Sequence, residues 1–185
     1  FYKFNNKQES IVVSVPTGNF GDVYAGYVAK QMGLNIKDLI VATNQNNILE
    51  RCIAKGEYKP SEVIGSMSPS MDIQVASNFE RILFYLCDEN SDDLNNLMNK
   101  LKLKGQFNLT QNQLKKLQNN FSASSCSEDE TLEIIKNIYD NHQYIIDPHT
   151  ATAVKPLKRE KYKEDVCFCF ETAHPSKFPL AINKA

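Results

Sequence analysis

The chain alternates short apolar runs with longer stretches in which apolar residues recur every three or four positions. Residues 11–15 read Ile-Val-Val-Ser-Val and are closed by Pro16 and Thr17. A short, β-branched run bounded by turn residues predicts a fully buried strand. Over 22–32, Val23, Tyr27 and Val28 fall on one helical stripe, and Gly33 follows where a left-handed helix C-terminus belongs. Residues 39–43 (Leu-Ile-Val-Ala-Thr) predict a second strand, and 46–55 a second helix ended by Gly56. Strand, helix, strand in this order is a right-handed βαβ unit, so the sheet is parallel and helix-covered. A third helix is predicted over 77–86, with Phe79, Ile82, Leu83 and Leu86 in register.

From 88 to 120 the composition turns to Asn, Lys, Gln and Asp, yet Leu94, Leu97, Met98, Leu101, Leu114 and Leu117 keep helical spacing. This reads as a polar-faced helical insertion without chemistry of its own. Residues 121–126 suggest a short strand. Ser127 and Glu130 form a capping box that opens a helix running to Asn141. Residues 166–170 (Val-Cys-Phe-Cys-Phe) are the last clear strand, and no internal repeat is present. The fold class predicted is α/β, a three-layer parallel sheet with helices on both faces.

Composition narrows the function classes. With 185 residues, 42% of them hydrophobic, the chain can bury one ordinary core. A formal net charge of −1 gives no electrostatic footprint for nucleic acid or an anionic membrane. No apolar run approaches the roughly 18 residues of a membrane span. The five cysteines, Cys52, Cys87, Cys126, Cys167 and Cys169, form no CxxC pair and no zinc spacing. Buried reduced thiols are expected, which favours a reducing compartment. No His, Cys and Asp cluster has metal-ligand spacing. The first residue is Phe1, and Phe1 to Phe4 reads like the tail of a helix entered from upstream, so a piece of a longer protein is expected.

The stretch with most chemical content is Thr17-Gly-Asn-Phe-Gly-Asp22, between the first strand and the first helix. A turn of this kind points several backbone N–H groups into one small cavity at the positive end of a helix dipole. It is an anion site needing no Lys or Arg. Gly18 and Gly21 are expected to allow positive φ and a close approach of backbone to phosphate. The turn is neither G-x-G-x-x-G nor a P-loop, and a plain strand-to-helix turn capped by Asp22 fits the residue types equally well. A carboxylate beside a phosphate is tolerable if Asp22 turns back to cap Tyr24 or Ala25.

Seven phrases then occur in fixed order between residues 15 and 178: VPTGNFGD, AKQMGL, ATNQNNIL, SPSMDI, SNFER, DPHTA and ETAHPSKF. Together they resemble the C-terminal half of threonine synthase, a pyridoxal-phosphate enzyme of the tryptophan-synthase β-like fold, fold type II. The resemblance implies that PLP is the cofactor and that O-phospho-L-homoserine and water become L-threonine and phosphate. It implies that Gly18, Asn19, Phe20, Gly21 and Asp22 hold the cofactor phosphate, and that Thr172 offers its hydroxyl to the pyridine nitrogen. The family's Schiff-base lysine lies in its N-terminal half, so no catalytic residue is expected in this segment, which alone should be inactive. Lys30 and Lys177 are poor substitutes. On this resemblance 1–86 is the phosphate-binding part of the PLP domain, 87–126 the insertion and 127–185 the C-terminal part. The partner expected is the remaining N-terminal half, with a small-molecule substrate, no nucleic acid and no membrane, in the cytoplasm.

A second phosphate on the substrate needs side chains away from the turn. Arg81, Asn78 and Ser77 are the candidates, although a helix-surface Arg81 paired with Glu80 or Asp88 is as plausible. Ser68, Met71 and Asp72 either line the active-site side or form a structural turn. His149 and His174 are tempting acid–base groups, but capping, packing or fixing the turn at Thr172 fits them as well. Asn47 and Glu171 depart from the family pattern, and Glu171 is expected to face away from Thr172. Two rival readings are a threonine synthase-like phospho-lyase and a non-catalytic phosphate-binding α/β fragment.

Overall fold

In the computed structural model residues 10–185 are described; the expectation for Phe1 to Phe4 lies outside them. Four strands, β1 (Ile11–Pro16), β2 (Ile36–Thr43), β5 (Ser122–Ser125) and β6 (Val166–Cys169), form one parallel sheet in the order β5-β2-β1-β6. Both faces are covered, because alternate residues of one strand point to opposite sides. Ile11, Val13, Val15, Leu39 and Val41 join the main core with α1 (Gly21–Gln31), α2 (Ile48–Lys55) and α3 (Phe79–Leu86). Val12 and Ile40 face Tyr162 on the other side, where α7 (Pro148–Leu157) packs on β1 and β2. The three-layer parallel architecture is therefore as the sequence predicts.

The second strand begins three residues earlier than its apolar run. Lys37 and Asp38 look like loop residues, yet each is paired with the approach to β6. The Lys37 ammonium contacts Asp165 at 2.7 Å, and Asp38 accepts from the Tyr162 hydroxyl. Helix ends fall close to prediction. Gly33 and Gly56 adopt φ of 100° and 77°, so each ends its helix in the left-handed region that only glycine enters without cost. Ser127 accepts from the Glu130 amide while the Glu130 carboxylate accepts from the Ser127 amide, closing the capping box of α6 (Glu128–His142).

The polar stretch forms α4 (Ser91–Lys104) and α5 (Gln111–Gln118), and its β4 (Phe107–Asn108) pairs antiparallel with the distant β3 (Glu57–Tyr58). Their apolar stripe is not a separate core. Leu97, Phe107, Leu117 and Phe121 join the cluster beneath the sheet, where Phe107 stacks on Tyr58 and Tyr58 on Phe79.

Phe20, the residue before α1, is 1% exposed and meets Phe79 at 5.1 Å and Phe121 at 5.4 Å between ring centroids. This aromatic knot ties the turn after β1 to α3. Phe79→Ala is expected to cost about 3–5 kcal/mol by loss of burial and the cavity left behind. Urea denaturation checks it, and a cost below about 1 kcal/mol would contradict the packing described.

Candidate active site

At the carboxyl end of β1 the chain passes through the turn in which the sequence places most chemistry. Each residue of Gly18-Asn-Phe-Gly21 has a distinct physical task. The backbone of Ser70 crosses directly over Gly18: a Cβ there would stand 2.6 Å from the Ser70 carbonyl oxygen. Asn19 is an anchor. Its carbonyl accepts from the Asn78 amide at 3.0 Å, and its side-chain oxygen accepts from the Ser77 amide and hydroxyl, each at 3.3 Å. Phe20 is the buried plug, and it rather than a glycine takes the left-handed conformation, with φ 70°. Aromatic burial and the Asn19 anchor offset the roughly 1 kcal/mol or more that a side chain costs in that region. Gly21 starts α1 beneath Asn78, whose amide nitrogen would lie 3.3 Å from a Cβ.

Two expectations are corrected here. Gly18 and Gly21 do not have positive φ; Gly18 is required by the close approach of the Ser70 backbone, while Gly21 has only the Asn78 side-chain nitrogen close by. Asp22 does not cap the helix, because α1 begins at Gly21, one residue earlier than predicted. The Tyr24 amide already donates to the Phe20 carbonyl at 3.1 Å, and the Asp22 side chain is exposed.

The amides of Gly18, Asn19, Phe20, Gly21 and Asp22 donate to no backbone carbonyl of the described residues. They border a cavity of about 290 Å³ lined also by Ser70, Met71, Asn78, His149 and Thr172. Five residues of the turn and Thr172, some 150 positions apart in sequence, thus share one cavity. No lysine or arginine lines it among the described residues, and Lys30 and Lys177 lie elsewhere. A phosphate monoester fits such a wall, with N–H donors and a helix N-terminus supplying the positive end.

Of the second-phosphate candidates, Asn78 lines this cavity and also an adjoining surface cleft with Ser77, Arg81 and Tyr24. The Arg81 guanidinium sits over the Tyr24 ring, 5.6 Å from its centroid. Neither alternative partner is taken up among the described residues: Asp88 pairs with Lys116, and Glu80, which lines the same cleft, makes no ion pair with Arg81. Met71 lines the main cavity. Ser68 and Asp72 instead belong to a buried polar network, in which the Asp72 carboxylate accepts from Asn44, Asn46 and Ser66. Glu171 points away from Thr172, accepting from the Tyr144 hydroxyl at 2.7 Å. His174 caps the short turn after Thr172 by accepting from the Ser176 amide.

Behind the cavity, Asp147 caps α7 and accepts from the His149 amide, the His149 ring at 2.7 Å and the Thr150 hydroxyl. Burial pushes the Asp147 carboxyl up, but these donors outweigh it and hold the group below its ordinary value. Cys169 is no nucleophile: burial, with Asp147 and Glu171 nearby, pushes its thiol up to about 12. The residue that sequence reasoning missed is Ser70. A glycine at 18 hints that something passes close, but nothing in the sequence says that it is the Ser70 backbone.

No family model matches the chain. Threonine synthase of Saccharomyces cerevisiae is 40% identical over 100% of this chain and 40% of its own length. Threonine synthase-like 1 of Homo sapiens is 38% identical over 94% of this chain and 24% of its own length. The crystal structure of PLP-bound threonine synthase from Brucella melitensis superposes with a TM-score of 0.94 at 40% identity, over 98% of this chain and 39% of that one. The chain thus spans about two fifths of the length of the threonine synthases it matches, corresponding to their C-terminal part.

Because the folded-state Asp147 carboxyl is depressed, its contribution to stability is complete above the unfolded value of about 3.9 and is lost as pH falls through the lower folded value. Asp147→Asn should therefore destabilise the protein strongly near neutral pH and less in acid. Denaturant titrations across that range check this, and a penalty independent of pH would contradict it. In sequence and fold alike, the chain belongs to the threonine synthase family.

Proposed function

We propose that this chain is the C-terminal portion of a PLP-dependent threonine synthase, acting on O-phospho-L-homoserine and water to give L-threonine and phosphate. The observation that carries the reading is the row of five backbone amides, Gly18 to Asp22, with no carbonyl partner on a cavity shared with Thr172. Bound there, PLP would supply an electron sink for the substrate carbanion. The residues of this chain hold and orient it. The amides bind its phosphate, and the exposed Thr172 hydroxyl meets the pyridine nitrogen as a neutral partner that leaves the ring less electron-withdrawing than a carboxylate would.

The substrate phosphate falls to Ser77, Asn78 and Arg81, which lie together beside the turn. Arg81 has no carboxylate partner among the described residues, so its charge is available to a phosphate. Among the described residues no lysine lines the cavity; on this reading the Schiff-base lysine comes from the rest of the protein and this segment alone is inactive. The rest of the protein would also cover the apolar groove of about 640 Å³ between β1, α1 and the end of β6, where Phe170 is exposed.

The similarity to Threonine synthase-like 1, nearly as high as that to threonine synthase, favours one second reading: a phospho-lyase that releases phosphate without making threonine. Assay of the whole protein with PLP and O-phospho-L-homoserine distinguishes them. Equal amounts of L-threonine and phosphate are expected. Phosphate without threonine would establish the second reading, and neither product would overturn both. Gly18→Ala, which drives a methyl group into the Ser70 carbonyl, should weaken PLP binding by about 30-fold or more, corresponding to roughly 2 kcal/mol of overpacking. Spectrophotometric PLP titration measures it, and unchanged affinity would remove the turn from the cofactor site.

A further inference from the structure

His149 lies on the cavity wall, is 2% exposed, and has no place in the reading above. Its ring is held from three directions. The Nδ1 atom is 2.7 Å from Asp147, whose carboxylate is fully buried and also accepts from the His149 backbone amide. The Nε2 atom accepts from the backbone amide of Ser70 at 3.2 Å, across 79 residues of sequence. Phe178 packs against the ring, with centroids 4.8 Å apart. An N–H donated into Nε2 requires a lone pair there, so the ring proton sits on Nδ1, facing Asp147. Both ring nitrogens are thus committed to the protein, and neither is left for a substrate proton.

What His149 holds is the turn Pro69–Met71. Ser70 is exposed, and its carbonyl is the group pressed against Gly18. Met71, buried on the same turn, accepts a weak hydrogen bond from Thr152 of the helix that carries His149. The N-terminal end of α7 therefore sets the position of the wall opposite the five amides. A shift of that wall would open or close the space above Gly18 directly, because there is no side chain between the two backbones.

We propose that His149 is a positioning residue: locked by Asp147, it accepts the Ser70 amide and holds the Pro69–Met71 turn as the fixed wall of the phosphate cavity, rather than exchanging protons itself. The proposal rests on the reading of this cavity as a PLP-phosphate site. Two substitutions separate the two ring nitrogens. In His149→Gln the side-chain oxygen can replace Nε2 as acceptor for Ser70. In His149→Asn the side-chain amide can still donate to Asp147 but is too short to reach Ser70.

The test uses hydrogen exchange at the Ser70 amide and PLP affinity, both in the whole protein. In the unmutated protein the Ser70 amide should exchange slowly although the residue is exposed, and fast exchange would overturn the clamp without any variant. His149→Asn should expose that amide and weaken PLP binding about 10-fold, the scale of one buried hydrogen bond lost, while His149→Gln stays within about 3-fold of the unmutated protein. Equal losses in both variants would reduce His149 to packing. Exchange released with no change in PLP affinity would show that the turn does not shape the site. An unmutated protein that fails to bind PLP would overturn the site reading, while hydrogen exchange would still decide whether His149 holds Ser70.

Discussion

Two stretches of backbone meet without a side chain between them: the amide turn after β1, at Gly18, and the Pro69–Met71 turn that carries Ser70. This approach fixes the cavity, because a methyl group at residue 18 would already overlap the Ser70 carbonyl. Everything nearby serves it. Asn19 ties one side to the start of α3, Phe20 plugs the core beneath, and His149 with Asp147 holds the other side from α7. The amides of the turn are left without internal partners because secondary structure ends at Pro16 and begins again at Gly21.

On the proposed reading, this arrangement lets a phosphate bind without a basic residue. A phosphate dianion held by lysines would bring flexible, strongly hydrated charge into a small cavity. Oriented N–H groups at a helix N-terminus supply fixed partial charge instead. The strand that leads into the turn is well anchored: β1 has a neighbour on each side, and every residue from Ile11 to Pro16 is buried. Asp22 is compatible with the site because its carboxylate is solvated rather than enclosed.

Much of the fold was legible because its elements obey local rules. The Ile11 run, the Val23–Tyr27 stripe, the glycines at 33 and 56 and the Ser127 box each act through neighbours in sequence. Strand boundaries were less legible where distant residues decide them. Lys37 and Asp38 extend β2 only because Asp165 and Tyr162 pair with them. The site divided along the same line. Gly18 to Asp22 and Thr172 stood out as phrases, but the reason for the glycines was misread, since backbone approach from residue 70 leaves no trace in local sequence. Asp147 and His149 form a short local motif, yet the motif's third member is the amide of Ser70, and an amide has no residue type.

The most direct measurement is a crystal structure of the whole protein grown with PLP. The account predicts phosphate oxygens about 2.7–3.2 Å from the amide nitrogens of Gly18 to Asp22, with the Thr172 hydroxyl beside the ring nitrogen. A phosphate bound elsewhere, or those amides turned to protein carbonyls, would contradict it.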